Sequence, residues 1–130
     1  MSNPVVTRKS WVVWIPAILW MSVIFAFSHH TNFETGLSLD FPLKKTSHAI
    51  EYALLALCFH LALAGSLKTW SFSKARWAWM LSVFYAVSDE IHQYFVPTRS
   101  ARVLDILIDS LGALLALYGL FLVLRRYRRK

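Results

Sequence analysis

Four long apolar stretches, each of about 22–24 residues and with at most two acidic charges, constrain this chain more than any other feature. About 20 apolar residues are enough for a helix to cross roughly 30 Å of hydrocarbon. The polar stripes at helical spacing that a soluble bundle needs are missing over most of their length. Charged residues make up only 16% of the chain, against roughly a quarter in soluble domains. The sequence therefore predicts an all-α membrane protein, a bundle of four transmembrane helices.

We expect one domain over residues 1–130, with spans at approximately 11–28, 46–64, 75–96 and 103–124. Ten Lys and Arg residues lie on the side of the two termini and four lie on the other side. The positive-inside rule therefore predicts cytoplasmic termini and two outer loops in a bacterial cytoplasmic membrane. Residues 29–45 are expected to form an outer loop that is irregular or partly re-entrant. A cleaved signal peptide ending near Ser28 is the alternative for the first span, and it leaves the orientation unchanged.

The net charge of +7 follows this membrane topology and does not indicate a nucleic-acid partner. The basic carboxyl-terminal residues 125–130 are expected to face anionic lipid. Cys58 is the only cysteine, so an intramolecular disulfide is excluded.

Five of the seven acidic residues fall in the outer halves of the last three spans. At 1.5 Å per residue, Glu51, Asp89 and Asp109 would each lie roughly 10 Å below the outer surface. Charged side chains at membrane depth face the bundle interior or a wet cavity, where they pair with each other. The spacing therefore predicts one outward-opening polar pocket, walled by the second, third and fourth spans. A close approach of the fourth span to a neighbour is expected at Gly112.

A network of ion pairs, such as Arg99 with Asp105 or Lys45 with Asp89, is the structural interpretation of these charges. Because desolvation costs several kcal/mol per buried ion, apolar packing would hold the helices together more cheaply. Five acids at one level therefore favour a functional interpretation. The candidate catalytic residues are His48, Glu51, Asp89, Glu90 and His92. The candidate ligand-binding residues are Lys45, Tyr52, Gln93, Arg99, Asp105 and Asp109.

Metal binding is an alternative, because His48 and Glu51 lie one helical turn apart. Asp89, His92 and Asp105 would supply further ligands, but the nearby Lys45 and Arg99 oppose a dication. No phosphate-binding loop, nucleophile elbow or zinc-protease motif occurs. We therefore predict neither a metal nor another cofactor.

The segments KKTSHAIEYALLAL and SDEIHQYFVPTRSARVLDILIDSLGALL resemble the VanZ-like family of small bacterial membrane proteins. The matching positions are Lys45, His48, Glu51 and Tyr52; Ser88, Asp89, Glu90 and Gln93; Phe95, Pro97 and Arg99; and Asp105, Asp109 and Gly112. The family is named for an accessory protein that raises resistance to teicoplanin, a lipid-tailed glycopeptide acting at the outer membrane surface. The resemblance thus implies a role in the cell envelope.

The sequence leads to the hypothesis that the pocket binds or modifies an anionic, lipid-linked envelope molecule in the outer leaflet. The partner would be a membrane lipid or a lipid-linked precursor, with Lys45 and Arg99 holding its phosphate or carboxylate. If a reaction follows, His48 or His92 would be the general base. The alternative is a non-catalytic scaffold or assembly factor whose charges set the helix register. A proton or ion path, to which His60 and Tyr118 would belong, is a third, weaker hypothesis.

Overall fold

The computed structural model describes residues 11–29, 40–97 and 99–129 and contains four α-helices. A short 3-10 turn, Val12–Trp14, leads into α1 (Ile15–His29); α2 (Asp40–Ala64), α3 (Phe72–Tyr94) and α4 (Val103–Tyr127) follow. These described ranges contain no strand. The predicted all-α class is therefore confirmed.

Among the described residues, three segments are long and apolar enough to cross a membrane: Val12–His29, Pro42–Ala64 and Val103–Tyr127. The helix α3 does not qualify on composition. Large apolar side chains, among them Phe25 and Leu115, are exposed on the outside of the bundle. Such a surface is unfavourable in water and suits contact with lipid. The helices thus support the predicted membrane protein.

The helix α2 is the centre of the bundle and packs on each of the other three helices. Near its middle, Gly112 of α4 lies against the backbone of Ala49, where a Cβ atom would overlap the carbonyl oxygen. Only glycine allows two helices to approach this closely. The close approach predicted at Gly112 is confirmed, and it brings the polar faces of α2 and α4 together.

The second helix begins at Asp40, six residues before the predicted start of the second span at Thr46. The expectation of irregular structure through residue 45 is therefore wrong for residues 40–45. Pro42 stands in the first turn, where a missing N–H costs no intrahelical hydrogen bond. Its carbonyl accepts a hydrogen bond of 2.8 Å from the Thr46 hydroxyl. The remainder of the expected loop, residues 30–39, lies outside the described residues.

At the other end of α2, Gly65 ends the helix in the left-handed conformation, with φ of +73°. Its N–H donates to the carbonyl of Leu61 at 2.8 Å, which is the usual glycine cap at a helix carboxyl terminus. The chain then turns back, and the ring of Trp70 packs against His60 with centroids 5.3 Å apart. This turn places Trp70 at the end of the bundle opposite Lys45.

Candidate functional site

Polar side chains from all four helices meet at one end of the bundle, where α1 and α3 end and α2 and α4 begin. We call this group the polar cluster. Its members are Ser28; Lys45, His48, Glu51 and Tyr52; Asp89, Glu90 and Gln93; Arg99 and Arg102; and Asp105 and Asp109. The charges of Glu51, Asp89 and Glu90 all act on Asp109, so acids from three helices lie within electrostatic range of one another.

Two acid–base contacts join α2 to α4 within the polar cluster. Lys45 forms an ion pair with Asp105 near the end of the bundle. One turn deeper, Nδ1 of His48 lies 3.9 Å from Oδ1 of Asp109. The two helices run parallel here, so successive turns of α2 face successive turns of α4. This register explains why Lys45 pairs with Asp105 and not with Asp89, the partner considered from the sequence.

Asp89 is held by two donors from different helices. The Ser28 hydroxyl of α1 donates to Oδ2 of Asp89 at 2.8 Å, and the Gln93 side-chain amide donates to the same oxygen at 2.9 Å. All three side chains are buried. Ser28 was not predicted, because the pocket walls expected from the sequence came from the last three spans only. A polar residue at the end of an otherwise uncharged span was the signal that could have found it.

Glu90 acts on the backbone at the start of α4. Its Oε2 accepts a hydrogen bond of 2.8 Å from the N–H of Arg102, the residue before the first helical residue of α4. The side chain of Arg102 makes no capping hydrogen bond of its own. A carboxylate from α3 thus satisfies an amide at a helix amino terminus, where the dipole also favours negative charge. This arrangement gives Glu90 a structural role.

Arg99 joins the end of α1 to the acids of the polar cluster. Its Nη2 donates to the carbonyl of Phe27 at 3.0 Å. Its charge also acts on His48, Glu51 and Glu90, one group on α3 and two on α2. Arg99 is partly buried.

His92 lies apart from the α2–α4 contact. Its ring packs on Phe25 of α1 with centroids 4.7 Å apart and on His29 at 5.7 Å. The two acids considered with His92 as metal ligands have other partners: Asp89 contacts Ser28, and Asp105 contacts Lys45. Over residues 11–29, 40–97 and 99–129, no three His, Cys, Asp or Glu side chains group in a way that could hold a metal ion.

Among the buried polar atoms without a hydrogen-bond partner in the described part of the chain are Nδ1 of His48, the hydroxyl of Tyr52 and Oδ1 of Asp109. Tyr52 is 0% exposed and Asp109 is 1% exposed. The 3.9 Å between His48 and Asp109 is too long for a direct hydrogen bond. Because buried polar groups in folded proteins are normally paired, these atoms call for a donor or acceptor from outside the chain. We refer to the three residues as the open triad.

The structure therefore separates the predicted residues into two groups. Asp89 and Gln93 have protein partners, and Glu90 has one through Oε2. Oε1 of Glu90, Nε2 of His92 and the open triad have buried polar atoms without a hydrogen-bond partner in the described ranges. Their roles in catalysis or in ligand binding stay predictions, as does the outward-opening pocket.

Comparison with known proteins gives one result on identity. Neither the curated proteins nor the solved structures contain a match to this chain. The family model VanZ/LLP1 matches residues 13–125. This range contains the whole polar cluster and all four helices, apart from the last two residues of α4. The match extends over far more than half of the sequence and agrees with the resemblance noted in its motifs. The chain belongs to the VanZ/LLP1 family.

Proposed function

We propose that the polar cluster binds the head group of an anionic, lipid-linked molecule of the bacterial cell envelope. The molecule would enter from the outer leaflet of the cytoplasmic membrane. Its phosphate or carboxylate would lie against Arg99, Lys45 and Arg102, and its lipid tails along the apolar outer faces of the helices. Arg99 would supply the planar, bidentate contact that suits such groups.

The open triad supports this proposal most directly. It lies one turn deeper than the Lys45–Asp105 ion pair, so cationic groups stand nearer the bundle end and unpaired acceptors lie beneath them. Five acids beside three cations would repel a bare phosphate. A ligand that also carries hydroxyl groups fits better, because its hydroxyls can donate to Asp109 and Glu51 while its phosphate meets the cations. A polyol or sugar phosphate on a lipid has this chemistry.

The proposal requires α3 to cross the membrane as a fourth span. An exposed apolar stripe runs along it at spacings of three and four residues: Trp77, Met80, Phe84, Val87 and Ile91. Ser88 is also exposed, and its hydroxyl donates to the Tyr85 carbonyl of the same helix. The acids Asp89 and Glu90 are buried, and Lys74 and Arg76 fall in the first turns of the helix. The composition of α3 thus includes charges that would not meet lipid. By the positive-inside rule, the termini would then face the cytoplasm and the polar cluster would lie toward the outer face.

His48 is the best-placed residue for acid–base chemistry, if the bound molecule is modified. It is partly buried beside Asp109, which can orient its ring through a bridging water or a ligand hydroxyl. Asp89 and Glu90 are engaged by Ser28, Gln93 and the Arg102 backbone. A change in the outer-leaflet lipid would also alter susceptibility to teicoplanin, the effect that the family resemblance implies.

The test is mass spectrometry of lipids that co-purify with the wild type, Arg99→Ala, Arg99→Lys and Asp109→Asn. We expect one anionic species to be enriched in the wild type and reduced about tenfold in Arg99→Ala. Arg99→Lys should retain only part of it, because lysine keeps the charge and loses the fork. Arg126→Ala, an exposed arginine at the other end, is the matched control and should behave as the wild type.

An unchanged lipid profile in folded Arg99→Ala and Asp109→Asn would refute the proposal. Both variants should elute as monodisperse protein, and Asp109→Asn is isosteric, so a loss of lipid in that variant cannot be assigned to a change in packing volume. Teicoplanin susceptibility of cells expressing each variant gives a second readout. It should change in parallel with lipid content.

A structural scaffold is the second candidate, because Ser28–Asp89, Glu90–Arg102 and Lys45–Asp105 link different helices. The charge exchange Lys45→Asp with Asp105→Lys distinguishes a structural scaffold from a ligand-binding site. A scaffold predicts that the double exchange restores stability and phenotype together. Ligand binding predicts restored stability with the bound lipid still reduced, because the cation then stands on the other helix.

A further inference from the structure

The end of the bundle opposite the polar cluster contains a cavity with three arginines. Its volume is about 260 Å³, and its walls are Trp70, Phe121, Leu124, Arg125, Arg128 and Arg129. None of these residues is acidic. The arginine side chains are exposed, whereas Trp70 and Phe121 are partly buried and pack together with ring centroids 5.3 Å apart. The cavity thus combines a positive rim with an aromatic floor.

A second cavity of about 290 Å³ lies between α3 and α4 and shares Trp70 with the first. Its walls are mainly apolar, with Phe72, Trp79, Leu114 and Leu117, and among the described residues Arg76 is the one charged residue that lines it. Phe72 contacts both Trp70 and Phe121, with ring centroids 5.5 Å from each. A charged cavity and an apolar cavity therefore adjoin at one indole ring.

The indole N–H of Trp70 is buried and has no hydrogen-bond partner in the described ranges. An unpaired buried donor is costly in a folded protein, and an indole can only donate. The acceptor that it lacks would have to come from a bound molecule or a water. An oxygen of an anion held by the three arginines would satisfy it.

We propose that these two cavities form a binding site for an anionic glycerophospholipid, in the leaflet opposite the polar cluster. The phosphate would occupy the arginine cavity and accept from the Trp70 indole, and one acyl chain would fill the apolar cavity between α3 and α4. Arginine suits phosphate because its planar fork donates two parallel hydrogen bonds. The adjoining apolar cavity favours a lipid over free phosphate. This site uses none of the residues of the polar cluster and does not depend on its function.

A shaped site predicts different effects for neighbouring arginines. Arg125, Arg128 and Arg129 line the cavity, but Arg126 is exposed and does not. If the basic end only attracted anionic lipid over a distance, all four would contribute alike, at about fivefold in affinity for each charge. A site predicts a loss for the three lining arginines and almost none for Arg126.

The experiment is native mass spectrometry of full-length protein in detergent, titrated with phosphatidylglycerol, phosphatidylcholine, diacylglycerol or inorganic phosphate. We expect phosphatidylglycerol to bind at least tenfold more tightly than either of the other lipids. The Arg128→Ala and Arg129→Ala variants should each weaken its binding about fivefold, and Arg126→Ala less than twofold. Trp70→Phe keeps the ring and removes the donor, so it should weaken binding severalfold. Trp77→Phe, an exposed tryptophan on α3, should not.

Equal losses in Arg126→Ala and Arg128→Ala would overturn the site in favour of nonspecific attraction. Equal binding of phosphatidylcholine, or inorganic phosphate that binds as tightly as the lipid, would also overturn it. Because Trp70→Phe and the arginine variants change different groups, agreement between them cannot result from one misfolded protein.

Discussion

At the residue scale, two aspartates of the polar cluster show how similar buried acids acquire different roles. Asp89 receives two hydrogen bonds on one oxygen, from Ser28 and Gln93. Asp109 is equally buried and its Oδ1 has no hydrogen-bond donor among the described residues. A satisfied acid holds helices together, whereas an unsatisfied one needs a ligand or water. Hydrogen-bond partners, and not burial or charge, distinguish the two.

Ser28→Ala is expected to destabilise the protein, because it removes the hydrogen bond from α1 to the Asp89 carboxylate. Hydrogen bonds to charged groups contribute about 1.5–3 kcal/mol, so the loss in unfolding free energy should be of that order. Ser22→Ala is the matched control, since that exposed hydroxyl bonds only to Ile18 of its own helix. Thermal unfolding in one detergent, followed by tryptophan fluorescence, compares them. Equal melting temperatures would show that the Ser28 contact adds nothing.

Gly112→Ala is expected to destabilise the contact between α2 and α4. A Cβ there would overlap the Ala49 carbonyl, so the two backbones must move apart, at a cost of about 1–3 kcal/mol. Gly119 lies in the same helix with nothing within 4 Å of a Cβ atom. Gly119→Ala should therefore be neutral or stabilising, by up to about 1 kcal/mol from helix propensity. The same unfolding assay applies, and a stabilised Gly112→Ala would contradict the close approach.

At the scale of elements, α3 differs most from its composition. Its charges lie at its first turns or inside the bundle, and its exposed face from Trp77 to Ile91 is apolar except for Ser88. Mean hydropathy averages over the buried and the exposed face of α3. This explains why α3 does not qualify as a span although its outer face suits lipid. Helical periodicity carries information that mean hydropathy loses.

Cysteine labelling tests whether α3 crosses the membrane. In a Cys58→Ser background, Leu67→Cys lies before α3 and Ser100→Cys lies after it. We expect a membrane-impermeant maleimide to label Ser100→Cys in intact cells and Leu67→Cys only after lysis, because a crossing helix puts its ends on opposite sides. Labelling of both in intact cells, or of neither, would contradict the fourth span. Equal labelling of the two variants after lysis is the control for reactivity.

The sequence predicted the helices well and their partners only in part. Apolar length defined four helices, and the spacing of Lys45 and His48 put both on one face. The register that joins Lys45 to Asp105 depends on Gly112 meeting Ala49, a contact between two helices that no single-helix pattern contains. Ser28 was missed for the same reason, because its importance comes from Asp89, 61 residues away. Local patterns predict elements, and tertiary packing decides which polar groups remain unpaired.

At the scale of the whole molecule, the two ends of the bundle have opposite chemistry. The polar cluster contains five acids, and the cavity at the other end has three arginines and no acid in its walls. Apolar side chains such as Leu55 and Leu117 are buried between the two ends. Along α4, Asp109 and Arg128 are 19 residues apart, or roughly 28 Å. This separation predicts two binding sites that act independently.

Independence can be measured with Asp109→Asn, Arg128→Ala and the double variant. Substitutions more than about 10 Å apart without shared partners add within roughly 0.5 kcal/mol, so the two changes in unfolding free energy should sum. Lipid binding at the two sites should also be independent. We expect Arg128→Ala to weaken phosphatidylglycerol binding and leave the lipid of the polar cluster in place, and Asp109→Asn to do the reverse. A coupling above about 1 kcal/mol, or loss of both lipids in either single variant, would contradict independent sites. It would mean that α4 transmits a change from one end to the other, because Asp109 and Arg128 lie toward opposite ends of this helix.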